Sequence, residues 1–106
     1  MEQYGKLILH LSGGNQQEYL LEESTVVLGR GATCDITLSD ARVSRSHAVI
    51  RVEGGRAVLV DLRSANGTRV NGRKISSAAL RHGDRIVLAD SVELIWEEGF
   101  GFGKRR

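Results

Sequence analysis

The sequence predicts an all-β fold, an antiparallel β-sandwich of about 10–11 short strands. Three observations carry this expectation. Apolar residues recur at every second position in segment after segment, no apolar stripe at helical spacing interrupts them, and 13 glycines with no proline supply the turns.

Lys6 to Leu11 and Glu18 to Leu21 flank Ser12-Gly13-Gly14-Asn15, which is turn chemistry, so the pair reads as a hairpin. Thr25 to Leu28 is a β-branched run stopped at Gly29, and Ile36 to Leu38 is a short strand. Ala48 to Val52 and Ala57 to Leu62, joined by Glu53-Gly54-Gly55-Arg56, form the clearest hairpin. Thr68 to Val70 and Lys74 to Ile75 surround Asn71-Gly72, a dipeptide that adopts the positive φ angles of a type I′ turn. Ser76 to His82 is the one segment that reads as a helical turn, too short to organise the fold. Arg85 to Leu88 and Val92 to Trp96 close the series around Ala89-Asp90-Ser91, and Gly99 to Gly103 then alternates glycine with phenylalanine before the basic Lys104-Arg105-Arg106. Residues 1–98 are therefore expected to form one domain and 99–106 a flexible tail.

A chain of 106 residues can bury one core and no second. With 41% hydrophobic and 26% charged residues it has the balance of an ordinary globular domain. No run approaches the ~20 apolar residues that span a bilayer, and Met1-Glu2-Gln3 lacks the basic and apolar regions of a secretory signal. A cytoplasmic location without membrane contact is the expectation. The single Cys34 has no second cysteine for a disulfide or a shared metal, and neither metal nor cofactor is expected. Net charge is +2, of which the C-terminal Lys-Arg-Arg alone supplies three positive charges, so the remainder is close to neutral. With 5% aromatic residues and no basic stripe, nucleic acid is not the expected partner.

Strands carry packing and loops carry sites. The polar residues that hydrophobic patterning leaves unexplained fall around Gly29 to Asp35, Ser39 to His47 and Arg63 to Gly67. The first loop holds Arg30 between Gly29 and Gly31, where backbone can approach a ligand closely. Arginine suits phosphate because its planar fork makes two parallel, charge-assisted hydrogen bonds. The second loop places the Ser44 hydroxyl beside Arg45 and ends in Ser46-His47; the third offers Ser64-Ala65-Asn66-Gly67, whose asparagine amide can hold a peptide backbone.

Each piece alone is common; together, in order, they resemble the forkhead-associated (FHA) domain family. The matching segments are Leu28-Gly29-Arg30, Cys34-Asp35-Ile36-Thr37-Leu38, Val43-Ser44-Arg45-Ser46-His47-Ala48, Asp61-Leu62-Arg63-Ser64-Ala65-Asn66-Gly67-Thr68, Val70-Asn71-Gly72 and Leu80-Arg81-His82-Gly83-Asp84-Arg85-Ile86. The resemblance runs from about Lys6 to Trp96. It implies an FHA/SMAD-like sandwich of about eleven strands, termini near each other, and phosphothreonine-binding loops at one end. It further implies that Arg30 grips the phosphate, Ser44 donates a hydroxyl bond to it and Arg45 adds positive charge, while Asn66 holds the ligand main chain. His47 is then a histidine that braces the loops by hydrogen bonding, and Gly29, Ser64, Ala65 and Gly67 support loop geometry. Many members carry threonine or serine where this chain has Ala65, so that side-chain bond is missing, although Ala65 keeps a backbone N–H for the phosphate.

The function implied is phosphothreonine-dependent binding of a partner protein in Ser/Thr kinase signalling. The chain's own Thr25, Thr33, Thr37 and Thr68 fall in expected strands or tight loops, so the ligand is expected on another molecule. Arg42, Arg45 and Arg63, on or beside the loops, suggest tolerance of acidic residues after the phosphothreonine. An enzyme is not expected. Ser46 and His47 are adjacent in extended chain and point to opposite faces, and no carboxylate is evidently placed to orient His47 opposite Ser44. The alternative is a phosphate-independent interaction or scaffold module on the same sandwich. Oligomeric state is open, with a monomer favoured.

Overall fold

Period-two alternation puts every second side chain on one face of a strand, and two such faces must cover each other to leave water. The computed structural model, which describes residues 4–99, has that arrangement. Its strands are β1 (Gly5–His10), β2 (Gln16–Leu21), β3 (Thr25–Gly29), β4 (Ile36–Thr37), β5 (Ala48–Glu53), β6 (Arg56–Asp61), β7 (Thr68–Val70), β8 (Arg73–Lys74), β9 (Ser77–Ala79), β10 (Arg85–Leu88) and β11 (Val92–Glu98). One sheet runs β2-β1-β11-β10-β7-β8 and the other β4-β3-β5-β6-β9. Every pairing is antiparallel except β3 with β4, which is parallel. Expected strands and observed strands agree within a few residues at each end.

The core lies between the sheets and is read off the alternation: Leu7 and Leu9 on β1, Val26 and Leu28 on β3, Ala48 and Ile50 on β5, Ala57 and Leu59 on β6, Ile86 and Leu88 on β10, Leu94 and Trp96 on β11 are all buried. Asn71 (φ 51°) and Gly72 (φ 85°) both take the left-handed conformation of the expected tight turn between β7 and β8.

One expectation fails. Ser76 to His82 does not form a helical turn; Ser77–Ala79 is strand β9, paired with Val58, Leu59 and Val60 of β6. Leu80 continues the ladder by donating its N–H to the Ala57 carbonyl and is buried. Alanine and leucine favour helix locally, but a single short turn has no intrinsic stability, and ladder bonds with core burial decide the outcome. The expected tail over 99–106 lies outside the described residues apart from Gly99, whose N–H donates to the Tyr4 carbonyl and brings the two ends of the described chain together. No described helix is long and apolar enough to cross a membrane.

Register then positions the loops. Leu28 pairs with Ala48, and Ala48 pairs with Asp61, so the end of β3, the start of β5 and the end of β6 lie side by side at one end of the five-stranded sheet. The loops that follow β3, precede β5 and follow β6 must therefore meet there. Because Leu59 is fully buried in the middle of the strand that aligns them, Leu59→Ala is expected to cost about 2–5 kcal/mol in urea unfolding; a loss below about 1 kcal/mol would contradict this packing.

Candidate functional site

The site is assembled from backbone outward. Beyond β3 the chain makes two bonds to the loop before β5: Arg30 N–H donates to the Ser44 carbonyl and Gly31 N–H to the Arg45 carbonyl, each at 3.0 Å. This approach is so close that a Cβ on Gly29 would overlap the Arg45 carbonyl, which is why a glycine stands there. The same Arg45 oxygen accepts the Cys34 thiol at 3.0 Å. Arg30 Nε donates to the Val43 carbonyl at 2.9 Å, which aims the guanidinium and leaves its Nη groups without a protein partner among the described residues.

His47 ties this pair of loops to the third. Its side chain is fully buried. Nδ1 accepts the Ser44 N–H at 3.0 Å, so the ring proton sits on Nε2, which donates to the Gly67 carbonyl at 2.9 Å. The His47 backbone adds a bond to Leu28 on β3 and receives one from Leu62 after β6. Both ring nitrogens are thus occupied by backbone groups, and neither can take a proton from the Ser44 hydroxyl.

That hydroxyl has a different neighbour. The Ala65 N–H donates to Ser44 Oγ at 2.9 Å. The expectation that this N–H stays open to a ligand is therefore corrected: it faces Ser44 instead, and by filling an acceptor position it leaves the Ser44 O–H proton to be donated outward. Asn66 Nδ2 donates to the Arg42 carbonyl at 2.8 Å, which fixes the amide plane, while its Oδ1 has no partner among the described residues.

Sequence reading assigned no role to Asp61, which organises the third loop. It accepts the Ser64 N–H at 3.0 Å, the Ser64 hydroxyl at 2.6 Å and the hydroxyl of the buried Thr68 at 2.7 Å. Ser64 Oγ in turn accepts the Gly67 N–H, whose residue has φ 88°. Partial burial pushes the Asp61 carboxyl up, but the Ser64 and Thr68 hydroxyls and the Ser64 N–H outweigh it and hold the pKa below the ordinary aspartate value. An aspartate closing a strand with serine three residues on was the available signal.

The structure brings Arg30, Ser44, Arg45, His47, Asn66 and Gly67 to one end of the sandwich through these bonds. Arg30, Arg42, Arg45 and Arg63 are exposed, and none takes part in an ion pair among the described residues. The result is an exposed surface of unpaired cations and hydrogen-bond donors, suited to an anion.

Two consequences are testable. Gly29→Ala is expected to lower stability by roughly 1–3 kcal/mol because backbone must move; unchanged urea unfolding would show that the loops do not approach as described. For Asp61, the folded pKa lies below the unfolded one, near 3.9. Its stabilisation is therefore complete above that pH and disappears as pH falls through the lower folded value. Asp61→Asn should remove that part of the acid dependence, and an NMR carboxyl titration should find a midpoint below about 3.9; a midpoint above it would contradict the hydrogen bonding.

Comparison with known proteins fits this geometry. The FHA domain model matches residues 26–89. The chain is 46% identical over 68 residues to the glycogen accumulation regulator GarA of Mycolicibacterium smegmatis, covering 64% of this chain and 43% of GarA. It is 41% identical over 87 residues to the FHA domain-containing protein FhaA of Mycobacterium tuberculosis, covering 82% of this chain and 16% of FhaA. The chain thus spans less than half the length of either relative. Its fold superposes with a TM-score of 0.78 and 37% identity on a solved domain described in terms of phosphothreonine-dependent FHA domain interactions, covering 89% of this chain and 97% of that one. With the matched segment holding all three loops and the strands that align them, this chain belongs to the forkhead-associated domain family.

Proposed function

We propose that this chain is a phosphothreonine-dependent interaction module that binds a phosphorylated segment of a partner protein in Ser/Thr kinase signalling. The observation that carries this reading is Arg30: its Nε is tied to the Val43 carbonyl, its Nη groups face no protein acceptor, and the outward hydroxyl of Ser44 belongs to the adjoining loop. A phosphothreonine brings roughly −1.5 to −2 charges and three acceptor oxygens to such a surface. Arg30 takes the phosphate by its free donors, Ser44 gives a hydroxyl bond, and Arg45 adds charge from the exposed side of the same loop. Asn66, its plane set by Arg42, presents its remaining amide atoms to the ligand backbone. Gly29, His47, Ser64, Ala65 and Gly67 hold the loops. Residues 1–98 are the binding unit.

The reading is not catalytic. The buried imidazole is committed to two backbone groups and has no path to a nucleophile, and the related GarA is named a regulator. The ligand is on another molecule in a cytoplasmic setting, and acidic residues after the phosphothreonine suit Arg42, Arg45 and Arg63.

Each charge-assisted bond is worth ~1.5–3 kcal/mol, or roughly 10- to 150-fold in affinity. Titration with a phosphothreonine peptide and its unmodified counterpart should separate the two by at least about 100-fold. Arg30→Ala and Ser44→Ala should each weaken phosphopeptide binding by about 10-fold or more without loss of fold. Equal binding of both peptides, indifferent to Arg30→Ala, would instead favour a phosphate-independent interaction module on the same sandwich.

A further inference from the structure

The sandwich is open along the side where β2 edges one sheet and the two-residue β4 edges the other. An open trough of about 450 Å³ lies there, with Glu22, Glu23 and Asp35 supplying negative charge and Leu20 supplying apolar surface at its rim, above the buried Val26 and Ile36. Leu20 is 55% exposed. Glu22, Glu23 and Asp35 form no ion pair among the described residues. This face is opposite in charge to the Arg30 loops and shares none of the residues proposed to hold phosphate.

The segment 100–106, Phe-Gly-Phe-Gly-Lys-Arg-Arg, has complementary chemistry: two aromatic side chains followed by three cations. It also starts in the right place. Gly99 N–H donates to the Tyr4 carbonyl, and Tyr4 N–H donates to the Leu21 carbonyl at the end of β2. Gly99 is therefore about two strand spacings, ~10 Å, from the residues that lead into Glu22. Seven extended residues reach ~23 Å. Three extended residues span that distance, so Lys104, Arg105 and Arg106 are within reach of Glu22 and Glu23, and the phenylalanines within reach of Leu20.

We propose that residues 100–106 dock, within the same molecule, into the trough between β2 and β4. A tether this short gives an effective concentration in the millimolar range, so weak contacts suffice. Exposed ion pairs are individually weak and screened by salt, so the docking is a salt-sensitive equilibrium.

The test compares amide NMR spectra of the full chain with a chain ending at Gly99 and with the double variant Glu22→Gln, Glu23→Gln, at low protein concentration. Truncation is expected to shift the amides of Leu20, Glu22, Glu23 and Asp35. The double variant should reproduce the Leu20 and Asp35 shifts with the tail still present. Raising ionic strength from about 0.01 M to about 1 M, which shortens the Debye length from ~30 Å to ~3 Å, should abolish the difference between full and truncated chains at Leu20, Glu22, Glu23 and Asp35. Shifts confined to Tyr4, Glu98 and Gly99, or centred on Arg30 and Ser44, would overturn the proposal. Trough shifts that grow with protein concentration would assign the trough to the tail of a second copy and overturn docking within one molecule. Glu22 and Glu23 are exposed, and a retained β-sheet amide pattern distinguishes lost docking from lost fold.

Discussion

The binding end depends on one buried imidazole. His47 makes four hydrogen bonds, through its backbone to Leu28 and Leu62 and through its ring to Ser44 and Gly67. The first two continue the sheet; the last two join loops that have no ladder of their own. A buried ring with one donor and one acceptor is satisfied only when the Ser44 and Gly67 backbones stand at matching distances, so the ring sets the spacing between the loops. Arg30, Ser44 and Asn66 inherit their positions from that spacing. Asp61 extends it by fixing Ser64, which in turn fixes Gly67.

Electrostatics follows from the same scaffold. Ion pairs among the described residues use Lys6, Arg51, Arg69 and Arg85, and leave the arginines of the binding loops uncompensated. Exposed cations cost little while water solvates them. They become an attractive field when a doubly charged group arrives, and the backbone bond to Arg30 Nε limits the entropy lost in meeting it. On the proposed reading, the donors for phosphate are therefore already placed in the unliganded fold.

Much of this was legible in the sequence because period-two alternation directly reports which side chains face the opposite sheet. Strands β5 and β6, with Gly54-Gly55 between them, are the clearest case. Strand β9 was not legible: Ser-Ala-Ala-Leu favours helix locally, and only the exposed edge of β6 makes it a strand. The parallel pairing of β3 with β4 likewise depends on a double reversal of the loop between them, which no alternation encodes. At the site, residue types and order pointed to Arg30, Ser44 and Asn66, whereas the Ala65–Ser44 and Asn66–Arg42 bonds arise only when loops more than 20 residues apart dock. Asp61 escaped notice because its work is done inside the loop.

The most direct measurement of the central claim is a structure of this chain bound to a phosphothreonine peptide. The account predicts phosphate oxygens within hydrogen-bond distance of Arg30 Nη and Ser44 Oγ, with the loops and the His47 bonds unmoved. A phosphate seated elsewhere on the sandwich, or a ligand that displaces Ser44 from His47, would contradict it.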